Sequence, residues 1–117
     1  MSLVAEQNAF MLDFAKLIEY IYNSNDGVLV TEGEGYRTQE QQQIYFDSGK
    51  SKTMNSNHLR RLAHDINFIK NGQMITDKET LQKYANYWKS LNPLNRWGGE
   101  FTTIYDYDHF ERNSPLT

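Results

Sequence analysis

Four side chains able to hold a metal ion or move a proton fall in two short segments. His58 and Asp65 lie within Ser56–Asp65, and Asp106 and His109 lie within Asp106–Glu111. Two imidazoles and one carboxylate (His58, His109 and Asp65) make three protein ligands. A catalytic zinc site needs three such ligands and keeps a fourth position open for water. Zn2+ lowers the pKa of that water to about 7, so hydroxide becomes available at neutral pH. A separate carboxylate must then take the proton and pass it to the leaving group. Asp106 and Asp108 are the local candidates, with Glu100 and Glu111 further off. A donor or cation must meet the negative charge of a tetrahedral intermediate. Arg37 could serve, or it could be a surface arginine paired with Glu32 or Glu34. The pattern is that of a small hydrolytic metalloenzyme.

Plainer readings compete residue by residue. Taken alone, His58 after Ser56 is an ordinary turn residue. His64 and Asp65 are adjacent in a segment that reads as a strand, and side chains in a strand alternate between faces. Leu62, His64, Ile66 and Phe68 share the apolar face, while Ala63, Asp65 and Asn67 share the small polar one. The alternation therefore assigns Asp65 to a cleft and His64 to structure. Asp106 and His109 are three apart, so a regular strand would set them on opposite faces. Both reach one site only if the chain bends between them, a feature common beside active sites. No His-Glu-x-x-His helix, Gly-x-Ser-x-Gly elbow or phosphate-binding loop competes. Trp97 before Gly98-Gly99 marks either a close backbone approach near the cleft or a turn before the last strand.

The elements that must position these residues follow from periodicity. Phe10, Phe14, Leu17, Ile18 and Ile21 recur at helical spacing and predict an amphipathic helix over 5–23. Asn23–Gly27 ends it, and Val28–Thr31 reads as a short strand. Thr38 with Gln41 is a capping-box pattern opening a helix over about 39–48, closed by Gly49. Lys50–Asn57 reads as loop and Leu62–Ile69 as strand. Asn71-Gly72 is a hairpin turn into Gln73–Ile75. Thr76 or Asp77 caps a helix over about 78–91, which Asn92-Pro93 ends. Residues 101–112 are expected to hold the last strand or two. The sum is an α+β domain, a small, mostly antiparallel sheet flanked by helices.

Totals narrow the class further. A chain of 117 residues makes one domain with one modest core. It has no cysteine, so any metal must rest on His, Asp and Glu. A net charge of −3 and no basic run argue against nucleic-acid binding. Neither a signal peptide nor a membrane span is legible.

Ser56-x-His58-x6-Asp65 with Ala63, followed by Trp97-Gly98-Gly99 and Asp106-x-x-His109-Phe110-Glu111, resembles the VanY-like zinc peptidases of peptidoglycan. These group with the D-alanyl-D-alanine metallopeptidases and share a fold with the hedgehog signalling domain. Glu34-Gly35-Tyr36-Arg37-Thr38, Gln42-x-x-Tyr45 and Gly49-Lys50-Ser51 look most like the L-alanyl-D-glutamate endopeptidase branch, which includes phage endolysins. The likeness runs over about residues 28–112. It implies Zn2+ on His58, Asp65 and His109, Asp106 as general base and acid, and Arg37 at the substrate or its transition state. Gln42 and Trp97 are placed with the substrate-binding residues. The chain departs from the family at Arg61, where glycine is frequent, and at Glu100, where aspartate is. Arg61 would set a bulky charge near the site entrance and leaves substrate preference open. The acidic balance also differs from that of many endolysins, which are basic.

What the resemblance implies is a single zinc peptidase catalytic domain over 1–117, without a separate wall-binding domain. It would act as a monomer on the peptidoglycan stem peptide, at the L-Ala–D-Glu bond. It would be made in the bacterial cytoplasm of a phage or prophage host and reach the cell wall after holin-mediated release. A D-alanyl-D-alanine carboxypeptidase or dipeptidase on the same scaffold is the alternative within enzymes. A catalytically silent, zinc-containing wall-binding domain is the alternative of another class.

Overall fold

A computed structural model describes all 117 residues. Three helices and five short strands follow in the order α1 (Leu3–Asn23), β1 (Leu29–Glu32), α2 (Gln39–Asp47), β2 (Ala63–Lys70), β3 (Gln73–Ile75), α3 (Lys78–Leu91), β4 (Asn95–Trp97) and β5 (His109–Arg112). Short 3-10 turns stand before β2 (Asn57–Arg60) and after β4 (Gly98–Glu100). No helix is long and apolar enough to cross a membrane.

Side-chain caps start α2 and α3 where the sequence predicts, and Ser2 caps α1, which begins two residues before the expected start. The oxygens of Ser2, Thr38 and Asp77 accept from the backbone N–H groups of Ala5, Gln41 and Thr80. Each satisfies a donor that the first helical turn leaves free. Asn71 and Gly72 both take positive φ, as the tight β2–β3 hairpin requires.

β2 is the shared strand of the sheet. Ala63–Asp65 pairs with β5, Ile66–Ile69 with β1 and Phe68–Lys70 with β3, all antiparallel. β4 closes the far edge on β5, with Asn95 opposite Arg112 and Trp97 opposite Phe110. Residues 101–112 hold one strand, β5 at their end, in line with the expectation of the last strand or two; a further strand, β4, stands before the glycines, where none was expected. Three residues are too few to show a period. Asn95–Trp97 is extended because β5 is there to pair with it, a tertiary cause.

One face of the sheet is the core. Phe10, Phe14, Leu17 and Ile21 of α1 and Leu81, Tyr84, Ala85 and Trp88 of α3 form two buried stripes at helical spacing. They close over Ile66, Phe68, Trp97 and Phe110. Trp88 meets the Phe10 ring edge-on at 5.6 Å and the Phe110 ring at 6.2 Å, while Phe68 stacks on Tyr84 at 5.5 Å. The other face, with α2 and the loops around it, is free to carry the polar site.

One buried ionic cluster joins α1 to β5. The Arg112 guanidinium, 1% exposed, pairs with Glu6 at 3.2 Å and with Asp13, and donates to Asn95 Oδ1 at 3.1 Å. Removing one partner of a buried pair strands the other charge in the interior. Arg112→Met should therefore lower unfolding stability by about 3–5 kcal/mol in denaturant titration. A loss below about 1 kcal/mol, the range of exposed pairs, would show the cluster to be solvated.

Candidate metal centre and cleft

His58, Asp65 and His109 come from three separate elements. His58 sits in the 3-10 turn, whose cap Ser56 accepts from the His58 N–H at 3.2 Å. Asp65 lies on β2 opposite His109, the first residue of β5. Asp65 Oδ1 is 3.2 Å from His58 Nε2 and 3.1 Å from His109 Nδ1, and the two nitrogens are 3.2 Å apart.

The donor set can be tested against a metal. Tetrahedral zinc with bonds of about 2.0–2.1 Å holds its donors ~3.3 Å apart, close to this triangle. The remaining ring nitrogens fix the tautomers. His58 Nδ1 lies 2.7 Å from the Gly35 carbonyl, which can only accept, so the proton is on Nδ1 and the Nε2 lone pair faces the centre. His109 Nε2 lies 2.7 Å from Glu111 Oε1 and donates to it, leaving Nδ1 for the centre. Carbonyl and carboxylate partners of this kind orient metal-binding histidines. Two lone pairs and a carboxylate oxygen in mutual contact call for a cation between them.

The electrostatics agree. Burial pushes the Asp65 carboxyl up, but hydrogen bonds from His109 and His58, when a second proton makes those rings imidazolium, outweigh it and hold the group well below the usual carboxylate range. Burial lowers the His109 pKa, while Asp65 and Glu111 on either side of the ring raise it to about 10. Glu111 is raised by burial yet held at about 2 by His109 and Arg96. Carboxylates that favour a proton on His109 favour a metal cation there equally. Arg96 Nε donates to Glu111 Oε2 at 2.7 Å, so Glu111 itself is fixed in place. Glu111 was legible only as a distant base candidate; its place two residues after His109, on the same strand face, is the signal for the role it has.

Asp106 meets the bend that the spacing demands. β5 begins only at His109, and the preceding turn is closed by the His109 N–H donating to the Asp106 carbonyl at 3.1 Å. Asp106 Oδ2 then lies 3.9 Å from His109 Nδ1, with the side chain 39% exposed in the cleft. Gly98 is what lets this turn seat. A Cβ there would overlap the Asp106 carbonyl and stand 2.8 and 2.9 Å from the Cβ atoms of Asp106 and His109. Asp108 lines the cleft beside Asp106. Burial, a hydrogen bond with Asp106, and the charges of Asp65 and Asp106 push its carboxyl up to about 7.

The triad opens into a cleft of about 800 Å³ lined almost wholly by polar side chains. Arg37 lines it, 9% exposed. Its Nε donates to Glu34 at 2.9 Å, Nη2 also contacts Glu34, and Nη1 donates to Gln42 at 2.8 Å and Ser56 at 3.4 Å. Arg37 thus combines the two readings, paired with Glu34 yet part of the cleft. Gln42 and Trp97 lie outside the lining of this cleft. Gln42 is fully buried and braces Arg37 and the Ser51–Thr53 loop, leaving no surface for substrate. Trp97 is a core residue, 1% exposed, whose indole N–H donates to the Tyr107 carbonyl at 2.8 Å. Both look functional in one dimension because they adjoin residues that face the cleft.

His64 lies on the core side, its ring 4.8 Å from that of Phe14 and against Gly35. Arg61 adopts a left-handed φ of 56° and stacks 4.0 Å over the Tyr36 ring, outside the cleft lining. Glu100 pairs with Lys89 at 2.8 Å, also away from the triad.

The comparisons with known proteins follow this geometry. Over residues 49–112 the chain matches the peptidase family described as D-alanyl-D-alanine carboxypeptidase. That stretch is more than half of the chain and contains His58, Asp65, Asp106 and His109. The L-Ala D-Glu endopeptidase ChiX of Serratia marcescens is 26% identical with a TM-score of 0.61, covering 73% of this chain and 67% of that one. The D,D-pentapeptidase VanY from a VanB-type resistance cassette, solved as a variant with Zn(II), is 21% identical with a TM-score of 0.57. That alignment covers 90% of this chain and 71% of VanY, and at that identity it speaks for the fold alone. No curated protein sequence matches the chain. With a matched stretch that carries the whole donor triangle, the chain belongs to the D-alanyl-D-alanine carboxypeptidase family of metallopeptidases.

Proposed function

We propose that this protein is a zinc-dependent endopeptidase of the peptidoglycan stem peptide, cutting between L-Ala and D-Glu. The observation that carries the proposal is the donor triangle of His58, Asp65 and His109 with Asp106 beside it on an open polar cleft. The likeness to an L-Ala D-Glu endopeptidase favours that bond. Cleavage by a D-alanyl-D-alanine carboxypeptidase is the second reading, favoured by the family description.

His58, Asp65 and His109 hold the zinc, with Gly35 and Glu111 keeping both imidazoles in the ligating tautomer. Zinc so held supplies a water acidified to a pKa of about 7 and a Lewis acid for the scissile carbonyl. Asp106 takes the proton of the attacking water and returns it to the leaving amine. Its partial exposure and its place beside the triad suit both transfers. Arg37 keeps one Nη2 hydrogen uncommitted to its internal partners, and that donor faces the substrate or the charge developing on it. The site of action is the bacterial cell wall, reached after holin-mediated release as for the phage endolysins that the sequence resembles, with the protein acting as a monomer.

Digestion of purified muropeptides, with product masses read with and without chelator, tests the reading. Release of the D-Glu-containing stem is expected; loss of a terminal D-Ala alone would establish the second reading. Undiminished cleavage by metal-free protein would overturn both.

Asp106→Ala should retain zinc and fold while kcat falls by roughly 10²–10⁴. Glu111→Gln should weaken zinc about 10–100-fold by competition with a chelating dye, because the His109 ring loses its charged partner. Gly98→Ala should cost about 1–3 kcal/mol in unfolding and weaken zinc with it, since the added methyl pushes Asp106 and His109 apart. Unchanged zinc affinity in Gly98→Ala would separate the turn from the metal site.

A further inference from the structure

The two walls of the cleft differ in charge. On the β5 side stand Thr102, Thr103 and Ile104, with Phe101 under the Arg96 guanidinium. Arg96 itself is neutralised by Glu111. On the α2 side stand Lys50 and Lys52. The chain is acidic overall, and five of its twelve lysines and arginines are matched. Arg37, Lys83, Lys89, Arg96 and Arg112 each take a carboxylate. Neither Lys50 nor Lys52 has an acidic partner, although both face a cleft that holds five acids.

Lys50 is nonetheless placed. Its Nζ lies 4.3 Å from the centroid of the Tyr45 ring, and the Arg37 guanidinium lies 4.7 Å from the same centroid. Glu34 already neutralises Arg37 and accepts from the Tyr45 hydroxyl at 3.3 Å, so Lys50 is the cation on this ring that is left without a carboxylate. The loop that carries the lysines is anchored. The Gln42 amide donates to Ser51 Oγ at 2.8 Å and to the Thr53 carbonyl at 2.6 Å, and the Ser51 N–H donates to the Tyr45 carbonyl at 3.0 Å. Buried Gln42 thus couples the lysine loop to Arg37.

From this arrangement we infer that Lys50, supported by Lys52, is a subsite for a free carboxylate of the bound peptide, and that it sets preference for the acidic over the amidated stem. The inference rests on the proposed function and names the chemical group that the α2 wall selects. A lysine head is a compact, exposed charge, so it acts on binding more than on the chemical step, and salt screens it.

The test uses zinc-loaded protein and two stem peptides, one with free carboxylates and one with those carboxylates amidated. For Lys50→Glu, KM for the acidic peptide should rise on the order of 3–10-fold with kcat changed less than about twofold, and KM for the amidated peptide should move far less. Lys50→Gln and Lys52→Gln should show smaller shifts of the same sign, and added salt should raise KM for the wild type more than for Lys50→Gln. Thermal unfolding of each variant identifies a misfolded one, and Lys50→Gln, which keeps most of the stem over Tyr45, then carries the comparison. Equal KM shifts for both peptides, or none, would overturn the inference while leaving the proposed function intact. Failure of the wild type to cut either peptide would overturn the proposed function, and the inference with it.

Discussion

Two imidazole lone pairs and a carboxylate oxygen, mutually 3.1–3.2 Å apart, are held together without a protein cation among them. That contact is repulsive unless a proton or a metal ion occupies it, so the surrounding structure must hold it by other means. The Gly35 carbonyl and the Glu111 carboxylate do so from behind the rings, and Arg96 holds Glu111. Each partner belongs to an element that the sheet already fixes. Gly35 follows β1, which pairs with β2; Glu111 and Arg96 sit opposite one another on β5 and β4. The site therefore depends on the strand order β1-β2-β5-β4.

The same sheet separates two environments by alternation. Along β5, His109 and Glu111 face the cleft while Phe110 enters the aromatic core and Arg112 enters the ionic cluster with Glu6 and Asp13. Along β2, Asp65 and Asn67 face the cleft while Ile66 and Phe68 are core. Two helices on one face supply the apolar burial that makes the domain stable. The opposite face stays polar and carries the site. This division lets a small domain carry a dense set of titratable groups without placing them among its hydrophobic side chains.

Where the regular pattern would fail the site, the backbone departs from it. Asp106 and His109 cannot share a face in a strand, and the turn closed between them brings both to one cleft. Gly98 leaves room for that turn. Arg61, in a left-handed conformation that costs a non-glycine residue roughly 1–2 kcal/mol, ends the 3-10 turn bearing His58, and its stacking on Tyr36 offsets part of that cost.

Local physics was enough to read much of this protein from one dimension. Helical periodicity found α1 and α3, capping residues found the starts of α2 and α3, and the hairpin glycine found β3. Strand alternation separated Asp65 from His64, because the period of two depends on backbone geometry alone. The ligand types and spacing singled out His58, Asp65, Asp106 and His109, and required a bend before His109. Tertiary structure decided the rest. β4 is a strand only because β5 pairs with it; Trp97 and Gln42 are buried because the chain folds over them; Glu111 binds His109 because Arg96 holds it from the neighbouring strand. The charge asymmetry of the cleft is also tertiary, since whether a lysine is matched depends on which carboxylates fold within its reach. Residue type and period are carried by neighbours in sequence, whereas pairing, burial and charge balance are set by neighbours in space.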